Sequence, residues 1–138
     1  NGLAQDPHKE AARYEALIQK LKVDLAFLGI GPGGHIGFNE ANTSFSSITH
    51  LAQLSSETVR RDKERGQETP GQALTQGIST ILRAKHHILV AYGREKGDIL
   101  REALYGKISS KVPASALREV GKKVVMFVDE GAGHAITG

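Results

Sequence analysis

The sequence predicts an α/β fold in one domain over residues 1–138, built on a parallel sheet with helices on both faces. Three observations predict it. The runs "VDLAFLGI" (23–30), "HHILVAYG" (86–93) and "KVVMFVDE" (123–130) have strand length and are apolar almost throughout, as buried strands are. Segments with apolar residues at helical spacing lie between them. Alternating helix and strand favours parallel pairing, because each crossover lays a helix on the sheet.

Asp6 followed by Pro7 offers an N-cap and a first-turn proline, and Tyr14, Leu17, Ile18 and Leu21 recur at helical spacing, so 7–21 reads as a helix. The strand 23–30 runs into a glycine-rich loop. "ITHLAQL" (48–54) reads as a further strand and "SSETVRRDKER" (55–65) as a polar helix. "GQETPG" (66–71) is a break. Leu74, Ile78, Ile81 and Leu82 then mark one helix face in "ALTQGISTILRA" (73–84). The strand 86–93 leads into a helix with Ile99, Leu100, Ala103 and Leu104 on one side. Residues 107–120 read as a loop running into a short helix, and 123–130 as the last strand, ending in the acidic pair Asp129–Glu130. In such sheets ligands bind beyond the carboxyl ends of the strands, which selects the loops after Ile30, Tyr92 and Val128.

Composition narrows the function classes. A formal charge of +3 and a pI near 9.3 are mildly basic. The Lys and Arg residues are scattered, and with four Phe, three Tyr and no Trp a base-stacking platform has little to build on, so nucleic acid is not an expected partner. There is no cysteine, which removes disulfides, thiolate metal sites and thiol nucleophiles and suits a cytoplasmic location. The six histidines are too dispersed for metal-ligand spacing, and no cofactor is expected. No apolar stretch approaches the roughly 20 residues of a membrane span. "NGLAQDPHKE" has no signal-peptide core, and the chain begins without Met, as a portion of a longer protein does.

The loop "GIGPGGHIGFNE" (29–40) holds G-x-G-x-x-G at Gly29, Gly31 and Gly34. A dinucleotide site needs a helix directly after the third glycine, with its N-terminus on the pyrophosphate. Here "HIGFNEANTSF" has no helical stripe, and the next strand begins about fourteen residues later, too near for a crossover helix. No acidic residue closes that strand. The spacing is real and its context is wrong for a nucleotide.

The same loop resembles the signature of the glucosamine-6-phosphate deaminase family, G-[IV]-G-x-[DN]-G-H-[IL]-[GA]-F-N-E. The likeness extends along the chain. "NGLAQDPHKEAARYEALI" is similar to the lead-in to the signature strand. "PGQALTQGISTILRAKHHILVAYGREKGDILREAL" resembles the later helix, strand and lysine-bearing helix, and "VPASALREV…VVMFVDE" the closing strand. The resemblance implies a three-layer Rossmann-like fold lacking its N-terminal part. Upstream of Asn1 it places a first strand, a Ser/Gly-rich phosphate loop and the aspartate that moves a proton between C1 and C2.

The resemblance also implies the chemistry. The family converts an amino-sugar 6-phosphate to a ketose 6-phosphate and ammonia, through ring opening, proton abstraction α to a nascent carbonyl and loss of the amine. His35 takes the ring-opening role, which suits a group titrating near neutrality. Glu40 orients its imidazole. Gly31 and Gly34 clear space for a sugar phosphate and offer N–H donors, and Asn39 contacts a hydroxyl. Lys96 binds the phosphate. The phosphate arginine follows "ETVRR"; gapless counting meets Glu64, so Arg65 is assigned, with Arg61 as its substitute. Gly33 stands where the family usually has Asp or Asn. The expected partners are a small sugar phosphate and either further copies of this chain or a second chain carrying the N-terminal part. Two other readings stay open: a 6-phosphogluconolactonase-like hydrolase, whose members usually follow the histidine with residues unlike "IGFNE", and a non-catalytic sugar-phosphate-binding homologue.

Overall fold

The computed structural model describes residues 1–64, Gly66 and 70–137. In chain order the elements are α1 (Pro7–Leu21), β1 (Leu25–Gly29), β2 (His50–Gln53), α2 (Ser56–Glu64), β3 (Gln72–Thr75), α3 (Ile78–Leu82), β4 (His86–Ala91), α4 (Gly97–Tyr105), β5 (Val124–Val128) and α5 (Glu130–Gly133). Two 3-10 segments, Arg94–Lys96 and Pro113–Lys123, complete it, the second broken at Gly121 by a left-handed backbone with φ of 53°.

β1, β4 and β5 form a parallel sheet in the order β1-β4-β5, as the alternation predicts. The register explains which side chains are hidden. Leu28, Leu89, Ala91, Val124 and Met126 lie on the face that packs against Ile81, Leu100, Ala103, Ala114, Leu117 and Ala132. These come from α3, α4, the second 3-10 segment and α5, so these four segments gather on this face. On the opposite face, Leu25, Phe27, Val90, Val125 and Phe127 stand exposed, Phe27 at 70% and Phe127 at 58%.

One expectation needs correction. The helix read over 73–84 is a strand followed by a much shorter helix. Leu74 and Ala73 pair with Leu51 and Ala52 in an antiparallel ribbon of β2 and β3, and helix begins only after Gly77. The stripe Leu74, Ile78, Ile81 is therefore half strand and half helix, and cross-strand pairing overrides its periodicity. The strand read at 48–54 is present as β2, and its partner in the ribbon is β3.

α1 lies on the ribbon and is tied to it by a buried carboxylate. Asp6 caps the helix by accepting from the His8 and Lys9 amides, as read from the sequence. Near the middle of the helix, Glu15 is 4% exposed. It accepts from the Thr49 amide (3.0 Å) and hydroxyl (2.6 Å), the Thr80 hydroxyl (2.7 Å) and Gln19 (3.0 Å), and pairs with Arg83. Burial alone would raise its pKa, but the hydrogen bonds from Thr49, Gln19 and Thr80 outweigh it and hold the carboxyl at about 2.

This hub makes two measurable contributions. Glu15→Ala leaves the Thr49 and Thr80 hydroxyls buried without an acceptor and is expected to lower unfolding free energy by about 2–4 kcal/mol in denaturant titration. A carboxyl lowered from 4.5 to about 2 stabilises fully above pH 4.5, and that contribution disappears as pH falls towards 2. The unfolding free energy of Glu15→Gln should therefore fall less steeply between pH 4.5 and 2 than that of the parent.

Candidate active site

A cavity of about 300 Å³ opens at the carboxyl end of β1, where a parallel sheet is expected to hold its ligand. Its lining includes Gly29, Ile30, Gly31, Pro32 and His35 from the glycine loop, Thr58, Arg61 and Asp62 from α2, and Lys96 from the turn after β4. Two of the three loops selected from sequence meet here.

The loop is folded by its own residue types. The Gly31 amide donates to the His35 carbonyl (2.9 Å) and the Gly34 amide to the Gly31 carbonyl (2.9 Å), closing a tight turn. The N–H groups of Gly31 and Gly34 are thus used inside the loop. What glycine provides at 31 is clearance, since a Cβ there would overlap the His35 imidazole. Gly34 has φ of 76°, and a Cβ on it would lie 2.6 Å from Val112, so it serves the turn and its seat on the following segment.

After His35 the chain alternates between core and cavity. Ile36 is fully buried in the central cluster. Gly37 turns with φ of 58°, and the Phe38 amide donates to the Thr75 hydroxyl (3.1 Å). Asn39 is also fully buried, and its amide nitrogen donates to the carbonyls of Ile36 (2.8 Å) and Gln76 (2.8 Å). Its visible task is to staple the loop to the ribbon, not to reach a hydroxyl in the cavity. Glu40 then returns to the histidine: one carboxylate oxygen lies 3.6 Å from His35 Nδ1. The other accepts from the Thr58 hydroxyl (2.6 Å), the Ser55 hydroxyl (3.3 Å) and the Ser55 amide (3.4 Å).

The cations converge from separate elements. Lys96 Nζ donates to the Ile30 carbonyl (2.8 Å), which holds its side chain over the end of β1. The turn bearing Lys96 is braced by Asp129, whose carboxylate accepts from the Gly93 amide at 3.1 Å and caps α5 through the Ala132 amide. Arg61 reaches the cavity from α2, with Glu57 3.6 Å from its Nε. Glu64 pairs with Arg60 away from the cavity. Arg65 lies outside the described residues. Thr58 and Asp62 were not singled out in sequence. Their only signal is the i, i+3, i+4 spacing of 58, 61 and 62 on one helix face.

Electrostatics favour a neutral imidazole. Burial lowers the His35 pKa below its usual 6.5; Glu40 opposes this, Lys96 and Arg61 add to it, and Asp62 opposes it. At neutral pH the ring can therefore accept a proton, while Glu40 stabilises the imidazolium that results.

Removing the Glu40 charge takes away the largest opposing influence. In Glu40→Gln the His35 titration followed by imidazole NMR should move further below 6.5, whereas an unchanged or higher midpoint would contradict the pairing. Gly31→Ala should displace the imidazole, which is checked by the loss of its contact with Glu40 in a crystal structure of the variant.

Comparison with known proteins agrees with this geometry. The family described as glucosamine-6-phosphate isomerases/6-phosphogluconolactonase matches residues 1–126. A glucosamine-6-phosphate deaminase of Lysinibacillus sphaericus is 45% identical over 130 residues, covering 91% of this chain and 58% of that protein. One from Listeria monocytogenes is 40% identical over 135 residues, covering 96% and 58%. Among solved structures, a monomeric glucosamine-6-phosphate deaminase superposes with a TM-score of 0.92 at 40% identity, covering 98% of this chain and 57% of that one. A 6-phosphogluconolactonase from Trypanosoma cruzi, at 21% identity and a TM-score of 0.75, shares the fold. The chain thus spans less than three-fifths of the length of these deaminases. With the signature loop, the parallel sheet and nearly the whole chain matched, this chain belongs to the glucosamine-6-phosphate isomerase/6-phosphogluconolactonase family.

Proposed function

We propose that this chain is the histidine-bearing portion of an amino-sugar 6-phosphate deaminase/isomerase. The observation that carries the reading is the His35–Glu40 pair at a cavity also lined by Lys96 and Arg61. A neutral imidazole backed by a carboxylate can take the proton of the anomeric hydroxyl and return it to the ring oxygen as the sugar opens. Two cations suit a phosphate, Arg61 by its forked donors and Lys96 as a compact charge. In this reading Arg61 takes the place offered to Arg65, Gly31 clears room for the His35 imidazole at the sugar site, and Gly34 and Asn39 shape the loop around it. Proton abstraction at C2 and further phosphate contacts fall to an N-terminal portion, on the same polypeptide or on a second one. The exposed apolar face with Phe27 and Phe127 is the surface that such a portion covers. A cytoplasmic location is part of the same proposal, supported by a sugar-phosphate substrate class and a sequence without cysteine.

Retention of Glu40 favours deamination over lactone hydrolysis. Gly33 has no atom within 4 Å of where a Cβ would stand, so the family's usual acid fits there without steric cost, and its absence need not distort the loop. No helix of the described residues is long and apolar enough to cross a membrane.

The test uses the protein carrying this chain with its N-terminal portion. Ammonia and ketose 6-phosphate should form from glucosamine 6-phosphate or galactosamine 6-phosphate, and His35→Ala should lower kcat roughly 10²–10⁴-fold. Hydrolysis of 6-phosphogluconolactone without ammonia release would move the protein to the lactonase side. Binding without turnover of any of these would make it a sugar-phosphate sensor.

A further inference from the structure

We propose that Thr58 is a positioning residue: its hydroxyl fixes one oxygen of Glu40 so that the other faces His35, joining the histidine to the helix that carries Arg61. This rests on the reading of His35 as the proton carrier. The Thr58 hydroxyl makes the shortest contact of that carboxylate, at 2.6 Å, and the residue is 8% exposed. It is not needed for capping, because the Ser55 hydroxyl already accepts from the Thr58 amide (3.2 Å) at the start of α2. Nor does packing require the oxygen, since valine has the same shape. The single Thr58 proton goes to Glu40, and its oxygen lies 3.0 Å from that of Ser55.

Thr58, Arg61 and Asp62 share one face of α2, and all three line the cavity. The charged groups acting on His35 are Glu40 from its own loop, Arg61 and Asp62 from α2, and Lys96 from the turn after β4. Of these, Glu40 has the largest influence, and Thr58 sets its orientation. Without the hydroxyl, the carboxylate keeps only the Ser55 contacts at 3.3 and 3.4 Å and spends less time beside the imidazole. The imidazolium then loses support.

Imidazole NMR of His35 in Thr58→Val and Thr58→Ser tests this. The valine variant should titrate roughly half a pH unit lower, as weakening one close charge pair near a surface implies, and serine should restore the parent value. In turnover, valine should lower kcat about tenfold with KM within about twofold, because the interaction acts on proton transfer and not on binding. A parent-like titration in the valine variant overturns the proposal, as does failure of serine to restore it. If circular dichroism shows the valine variant unfolded, Thr58→Cys keeps the volume with a much weaker donor. It should shift in the same direction, and a parent-like midpoint overturns the proposal equally. Should no ammonia form from either sugar while the titrations follow this order, the proposed function falls and the positioning role stands. Ammonia release with titrations indifferent to position 58 overturns the positioning role alone.

Discussion

The side-chain amide of Asn39 donates to the carbonyls of Ile36 and Gln76, and the shape of the histidine loop follows from that pair. The first bond draws the chain back on itself three residues after Ile36, so that Ile36 can enter the core while His35 stays at the cavity. The second reaches the end of β3 and fixes the loop to a ribbon outside the parallel sheet. Each carbonyl also has a second donor, the Asn39 backbone amide for Ile36 (3.2 Å) and the Thr75 hydroxyl for Gln76 (3.2 Å), so the staple reinforces a turn and a strand end that are already bonded. Glu40 is the next residue, so its direction is inherited from this staple. The pairing with His35 is thus a consequence of backbone accounting as much as of charge.

Around that loop, burial and charge work against one another. Burial disfavours the imidazolium, and the two cations that suit a phosphate disfavour it further. Glu40 and Asp62 pull the other way. In the proposed function, an anion held by Lys96 and Arg61 would offset the cations and make the histidine easier to protonate. Binding and proton transfer are then coupled through the field of the cavity, with no movement of the backbone required.

Much of this site is visible in the sequence because it is local. His35 and Glu40 lie in one short segment, and the loops that bring Gly31 and Lys96 together follow from strand order. What is not visible depends on partners distant in the chain. The direction of the Asn39 amide is decided by Gln76, 37 residues away. Leu74 fits a helical stripe with Ile78 and Ile81, and only its pairing with Leu51 makes it strand. Thr58 looks like any threonine in a polar helix until Glu40 is placed against it. Tertiary context overrides pattern where the pattern is shared by two structures.

The glycines of the loop show how one spacing can serve unrelated ends. In a dinucleotide turn, the third glycine lets a helix follow at once. Here Gly34 has a left-handed backbone and seats the loop against Val112, and the chain goes on through Ile36 and Asn39 into a turn. Gly31 is required because an imidazole lies where its Cβ would be. Nothing lies within 4 Å of the corresponding position at Gly29 or Gly33. Of the loop's five glycines, three are therefore dictated by what is already present: Gly31 by a histidine, and Gly34 and Gly37 by left-handed turns. Of the remaining two, Gly29 lines the cavity. Turn geometry sets Gly34 and Gly37, and the side chain that sets Gly31 is His35.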